Sequence, residues 1–231
     1  MVRGIGKMSA AGKTAHAAMP ESGESAILRL IAGLLEEPCA SALCAQEREF
    51  LSLVARLTAT FDGRGAGLAC ADEDFGPLTM VGGLIGLRAD EGGTKGAKRI
   101  FQSIDIRYPT AITAQRIAEV LSAAAAQIGA RLEVNRTETP YLTSVDSPEV
   151  QSLFAAYRTV TGDTAHGPIT MGGGTYARKF SRAVSFGVER PWVADPAWVG
   201  TMHGADEGVS EAALKMAFKV YATAIHTIPL A

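Results

Sequence analysis

The sequence predicts an α/β chain in two parts. Residues 1–140 read as an α+β sandwich with helices on one face of an antiparallel sheet, and residues 141–231 as the C-terminal part of a larger α/β domain. Three observations lead there. Stretches with apolar residues at helical spacing alternate with stretches of period two through the first part. The character of the chain changes between Glu138 and Asp146. Beyond that point there are two long helices and one clear strand, too little for a parallel sheet covered on both faces.

The first residues, to Lys13, are rich in Gly, Ser and Ala and carry no period. After Gly12-Lys13-Thr14-Ala15-His16-Ala17-Ala18-Met19-Pro20, both Ser22 and Ser25 are placed to cap a helix. Its positions Ile27, Leu30, Ile31 and Leu34 keep helical spacing, and Pro38 ends it. A second helix spans about residues 46–60, with Phe50, Leu53, Val54 and Leu57 on one face. Asp62 to Gly67 is a loop. A strand runs from Leu78 to Leu87, a turn-rich break covers Asp90 to Gly96, and a strand spans Lys98 to Arg107. Ile100, Ile104 and Ile106 share one face of that strand, so Arg107 points away from Ile104 and Ile106. Thr113 to Ile128 is an amphipathic helix with Ile117, Leu121, Ala124 and Ile128 in line, and Arg131 to Thr137 a strand.

In the second part, Ser147-Pro148 opens a helix, with proline at the first position where its missing N–H costs nothing. Val150, Phe154, Tyr157 and Val160 form its stripe, and Thr161-Gly162-Asp163 ends it. The part is organised around Met171-Gly172-Gly173-Gly174-Thr175-Tyr176-Ala177-Arg178. Consecutive glycines cost backbone entropy and mark a close approach to a ligand or a turn with positive φ. Thr175 is placed to cap a helix whose first amides would attract a carboxylate or phosphate. Ala183 to Gly187 is a strand. Ser210 caps a final helix to about Ile228, apolar around most of its circumference and so expected to be well buried.

The composition is 47% hydrophobic and 20% charged with a net charge of −2, which points away from nucleic acid and anionic membrane surfaces. No run of about 18 apolar residues exists to cross a membrane. The first residues lack an apolar signal core, and a cytoplasmic protein is expected. Cys39, Cys44 and Cys70 cannot all pair with one another, and none has metal-ligand spacing with a histidine.

Of the four histidines, His203 is the best metal-ligand candidate, in a polar loop before the capped helix. Asp206 or Glu207 could hold its second ring nitrogen. His226 sits among Ala224, Ile225 and Ile228 and reads as structural, and His166 precedes Gly167-Pro168 without a signal of its own. Asp72-Glu73-Asp74 is open to two readings, a metal cluster or a solvated acidic turn. No Gly-x-Ser-x-Gly elbow occurs, and no Lys-Ser/Thr follows the glycines, so neither a serine hydrolase nor a phosphate loop is indicated.

Gly12-Lys13-Thr14-Ala15-His16-Ala17, with Pro20 and Gly23, resembles the lid motif of the PepV-type dipeptidases. These are co-catalytic zinc amidohydrolases related to aminoacylases and carboxypeptidase G. Further segments are similar in the same order: Asp72-Glu73 with Gly76 to Thr79, Asp105-Ile106-Arg107-Tyr108-Pro109, Gly172 to Arg178, Ser185-Phe186-Gly187, and His203 with Glu207. The resemblance implies a lid over residues 1–140 and the C-terminal segment of a zinc-peptidase catalytic domain over 141–231. It implies a dipeptide substrate and a pair of zinc ions that activate a water and polarise the scissile carbonyl. His203 would be the last zinc ligand, and His16 would steady the oxyanion. Arg107 and the amides of Gly172, Gly173, Gly174 and Thr175 would hold the substrate's C-terminal carboxylate.

The resembling enzymes begin with a portion that carries the other metal ligands and the general base, and the present chain opens at the lid motif. The expectation is therefore a chain that is inactive alone, retains no zinc, and works with that N-terminal portion or with a second copy. Two alternatives stand beside it: a non-catalytic binding or assembly module, and a deacylase or desuccinylase of the same clan.

Overall fold

In the computed structural model, which describes residues 7–89, 96, 98–181, 183–187, 190–194, 196, 198–200 and 206–228, an antiparallel pair of strands organises the first half of the chain. The chain divides into two units, Met1–Pro140 and Tyr141–Ala231, built from helices and small antiparallel sheets. In the first, β1 (Ala71–Asp72) and β2 (Gly76–Pro77) form a minimal hairpin, and β3 (Thr79–Ala89) pairs with β4 (Lys98–Arg107). Met80 lies opposite Ile106 and Gly82 opposite Ile104, so these four share the inward face. Between Gly82 and Ile85 the register shifts, and Gly83 and Leu84 oppose Ser103 alone. This bulge is held by Leu84 N–H donating to Ser103 Oγ at 2.8 Å. It reverses the parity of β3, so Ile85 joins the core while Leu84 is exposed.

Helices α1 (Ala26–Leu35), α2 (Ala45–Leu57) and α3 (Ala114–Ala126) supply the rest of the core. Leu53 and Leu57 of α2 and Ile117, Leu121 and Ala124 of α3 pack with Leu78 and Met80. Ile31 of α1 and Leu51 and Val54 of α2 form a second cluster against Ile85 and Ile100. Caps fix the helix starts. Ser25 Oγ accepts from Leu28 N, and Thr113 Oγ1 from Arg116 N. Ser22, the other candidate cap, sits instead in a 3₁₀ turn, Pro20–Ser22. Helix α2 starts at a thiol: Cys44 Sγ accepts from Glu47 N, and Glu47 returns its carboxylate to Cys44 N–H at 2.8 Å.

Arg131 to Thr137, expected as a strand, joins neither sheet. Arg131–Glu133 and Arg136–Glu138 pair along the segment itself, and Tyr108 Oη donates to the Glu138 carbonyl at 2.6 Å. Side-chain ties thus replace a ladder. The break expected at residues 90–95 lies outside the described residues.

In the second unit, α4 (Pro148–Thr161) is capped by Ser147 and stopped by Gly162 at φ 69°. Helix α5 (Glu211–Thr227) is capped by Ser210, and the two pack through Val150, Ala156, Tyr157, Val220 and Ala224. Here α5 departs from expectation. Leu214, Phe218, Tyr221 and Ile225 form a second apolar stripe that is exposed, Phe218 and Ile225 at 75% each. One helix partner covers one face, and α5 is apolar on two. Residues 183–187 also differ: they run beside Tyr141 and Thr143, which donate hydroxyls to the Ala183 carbonyl, but form no ladder. No described helix is long and apolar enough to cross a membrane.

The hairpin core gives a direct test. Met80→Ala should cost about 2–5 kcal/mol in urea unfolding, because the side chain is fully buried at the helix–hairpin junction. Leu87→Ala, on the exposed end of the same strand, should stay within about 0.5 kcal/mol.

Candidate functional site

The loop carrying His16 is closed by its own backbone. Lys13 and Glu24 exchange N–H···O bonds of 3.0 and 2.9 Å. Glycine is required on both sides of this bridge. A Cβ on Gly12 would lie 2.5 Å from the Glu24 carbonyl oxygen. One on Gly23 would lie 2.6 Å from Ala15 Cβ and 2.9 Å from the Lys13 oxygen. Pro20 is buried beneath the turn. Within the loop, half-buried His16 accepts the Ala18 N–H on Nδ1 at 3.2 Å, and its carbonyl accepts from Met19 N–H. An accepting Nδ1 is unprotonated, so the neutral ring carries its proton on Nε2.

The loop is tied to the outward face of the hairpin. Thr79 Oγ1 donates to the Ala17 carbonyl at 3.0 Å and is buried there, although it points away from the core. Arg107 is the residue directly opposite Thr79 on β4. Thr79 thus stands between two candidates that are far apart in sequence. Asp105, two residues before Arg107 and on the same face, accepts from Arg107 Nη2 on Oδ2 at 2.9 Å, while Nε lies 2.8 Å from Oδ1 at ion-pair distance without hydrogen-bond geometry. Arg107 therefore belongs to the outer face, with its guanidinium held beside the Asp105 carboxylate.

The acidic turn has a structural use. Asp72 Oδ1 accepts from Phe75 N–H, and Oδ2 accepts from the Thr110 hydroxyl and N–H at 2.6 and 2.7 Å. Those bonds, the Thr110 hydroxyl first, hold its carboxyl below the usual range. Of the cysteines, Cys44 is a helix cap, while burial pushes the Cys70 thiol up. All three are free thiols.

In the second unit the glycine stretch differs from expectation. Gly172, Gly173 and Gly174 are exposed, and none is among the glycines with positive φ. A Cβ on Gly173 would meet nothing within 4 Å. Thr175 caps no α-helix: it precedes a 3₁₀ turn, Tyr176–Lys179, without a side-chain cap bond, and its hydroxyl pairs with that of Ser185. A helix-terminus anion site is therefore not formed there, since four residues of 3₁₀ align few amides. His203 lies outside the described residues. Downstream of it, Asp206 adopts a left-handed φ of 57°, and Gly200 N–H reaches its carbonyl at 2.8 Å.

One grouping escaped the sequence reading. Asp163 is surrounded by donors: the Tyr157 hydroxyl, the N–H groups of Ala165 and His166, and the His166 ring. Burial works against its charge, but these donors outweigh it, the His166 ring foremost, and hold its pKa down to about 2. The only hint in the sequence was an aspartate directly after a helix-stopping glycine, with a histidine three residues on.

Among the described residues, no group of three or more His, Cys, Asp or Glu side chains is arranged to hold a metal ion. They do not fit a zinc centre, and no chemistry is derived through one.

This hairpin-and-helix unit, with its glycine-closed histidine loop, and the helix pair that follows belong to a family of peptidases. Residues 10–227 match the family described as Peptidase family M20/M25/M40, and the chain is a member of it. It is 27% identical over 229 residues to a protein of Staphylococcus saprophyticus named "Putative dipeptidase", a match covering 97% of the chain and 45% of that protein. It is 29% identical over 218 residues to one of the same name from Staphylococcus haemolyticus, covering 94% and 43%. A third, from Staphylococcus aureus, is 27% identical over 228 residues, covering 97% and 45%. The chain spans about half the length of these relatives.

Two outcomes follow. Gly23→Ala should loosen the His16 loop and cost about 1–3 kcal/mol, seen as faster tryptic cleavage at Lys13. Gly173→Ala should stay within about 0.5 kcal/mol by thermal unfolding. For Asp163 the folded pKa is depressed, so its contribution is complete above the unfolded value of about 3.9 and is lost as pH falls toward about 2. Asp163→Asn should be less stable than wild type at neutral pH, and acid unfolding should show the gap closing across that window.

Proposed function

We propose that this chain is the lid and C-terminal segment of a zinc-dependent dipeptidase of the cytoplasm. In this reading it supplies substrate recognition, while most of the metal centre lies in the remaining family length. The observation that supports it is the outward face of β3–β4, where Thr79 links the His16 loop to the residue opposite Arg107. Arg107 presents a planar guanidinium held beside Asp105, a shape suited to a peptide's terminal carboxylate. His16, protonated on Nε2, is a neutral donor suited to the oxyanion of a tetrahedral intermediate. In the second unit the amides of Gly172 to Thr175 are the proposed further carboxylate donors, and His203 the one proposed zinc ligand. The names of the staphylococcal relatives favour a dipeptide over an acylated amino acid as substrate.

A second reading, a non-catalytic assembly module, draws on the exposed stripe Leu214, Phe218, Tyr221 and Ile225 of α5. Titration calorimetry on the chain as it stands separates the two. Dialanine should bind, and dialanine amide should bind at least about tenfold more weakly, because the amide lacks the charge Arg107 pairs with. Arg107→Gln should abolish that preference. Equal binding of acid and amide would remove the recognition role. Dialanine hydrolysis at family rates by this chain alone with zinc would show that the catalytic groups do not lie elsewhere.

A further inference from the structure

Two hydrogen bonds of the His16 loop meet on one peptide group. The Ala17 carbonyl accepts the Thr79 hydroxyl at 3.0 Å. The N–H of that same peptide, on Ala18, donates to His16 Nδ1 at 3.2 Å. The peptide is trans and planar, so its C=O and N–H point in opposite directions. Thr79 therefore stands at one end of the plane and the His16 ring at the other, in the series Oγ1–H···O=C–N–H···Nδ1. A tilt of the plane moves both ends together. Each bond also strengthens the next, since a carbonyl that accepts makes its own amide a better donor.

Of the two ends, Thr79 is the fixed one. Its neighbours on β3, Leu78 and Met80, are fully buried. Their N–H groups donate to the Cys70 carbonyl at 2.9 Å and the Phe61 carbonyl at 2.7 Å. Thr79 itself is 7% exposed, and its branched side chain has few rotamers. The bridge between Lys13 and Glu24 closes the base of the loop, whereas the bond from Thr79 is made beside the ring. Without that bond the peptide loses the contact that sets its tilt. Ala18 N–H is then no longer aimed at Nδ1, and the ring's proton is no longer confined to Nε2.

We propose that Thr79 is a positioning residue for His16: through the peptide between Ala17 and Ala18, its hydroxyl aims an N–H at Nδ1 and so keeps the ring's proton on Nε2. The value of that proton to a substrate rests on reading His16 as the oxyanion donor. The relay itself does not.

The test is NMR on the whole chain. Ring nitrogen shifts are read at about pH 8.5, where an ordinary imidazole is neutral, and amide exchange is read near neutrality. In the wild type the His16 ring, assigned by its loss in His16→Gln, should be protonated on Nε2, and Ala18 N–H should be protected from exchange. Thr79→Val keeps the branched shape and removes the hydroxyl. It should raise the Ala18 exchange rate at least about fivefold and move Nδ1 toward the shift of a partly protonated nitrogen. The N–H groups of Lys13 and Glu24, which close the loop base, should stay within about twofold. Thr79→Ser should restore the wild-type values. If circular dichroism shows that Thr79→Val does not fold, Thr79→Ala takes its place. A wild-type ring protonated on Nδ1 overturns the relay, as do an Ala18 rate and ring shifts unchanged by loss of the hydroxyl. Equal acceleration at Lys13, Glu24 and Ala18 makes Thr79 an anchor of the whole loop and overturns it too. So does a change that Thr79→Ser does not restore, which points to side-chain shape instead of the hydroxyl. Failure to bind dialanine with the relay intact would count against the dipeptidase reading and leave this one standing.

Discussion

The parity of the β3–β4 ladder is the constraint on which the first unit depends. A strand offers alternate residues to opposite faces, so one shift of register exchanges core for surface. Met80, Ile104 and Ile106 need one parity, and Ile85 with Ile100 needs a core side chain further along the same pair. A uniform ladder would have turned Leu84 inward and Ile85 outward. Gly83 and Leu84 opposing Ser103 resolve the conflict, and glycine at position 83 leaves room for Ser103 Oγ, which would lie a tight 3.2 Å from a Cβ there. The same parity puts Thr79, Asp105 and Arg107 together on the outer face. Core packing and site geometry are thus one decision made by the backbone.

Much of this was legible because it is local. The apolar spacing of α1, α2 and α3 and the period of β4 follow from side-chain direction alone, and Ser25, Thr113, Ser147 and Ser210 act as caps. What was hidden is long-range or chemically unusual. A cysteine at a helix start is a poor cap by residue preference, and only Glu47 reaching back reveals its role. The segment after Gly129 has strand-like composition, yet nothing in its own residues says whether a neighbouring strand is available. The bond from Thr79 to Ala17 spans 62 positions and has no sequence signature.

The candidate site shows the same division. The glycines of the His16 loop could be read as close-approach positions, and Gly12 and Gly23 are such positions. Gly173 followed from the same rule and is not one in this structure, where its side is open. A glycine run records a demand for backbone freedom without saying whether the demand comes from the folded chain or from something that approaches it. At Gly12 and Gly23 the chain itself occupies the space. At Gly173 the space is unfilled, so the physical reason for glycine has to come from a partner or from the need to bend.

The two units also differ in how well they satisfy their own apolar surface. In the first, each helix turns its apolar face to the hairpin or to a neighbouring helix, and exposed large hydrophobics are few and scattered. In the second, Ile169, Met171, Tyr176, Phe180 and Trp198 join the α5 stripe at the surface. Tyr221 meets Phe186 edge-on, but Leu214, Phe218 and Ile225 stay exposed; buried apolar area contributes about 25 cal/mol per Å², so the helix forgoes a large share of what could stabilise it. Caps at Ser147 and Ser210 and the close pairing of α4 with α5 offset only part of that loss. Scattered exposed leucines are ordinary, but a stripe at positions 214, 218, 221 and 225 lies on one side of a helix whose other side is already packed. Helix propensity alone would not select such a pattern, because exposed positions favour Lys, Glu and Gln equally well. The pattern is that of a helix suited to being enclosed on two sides.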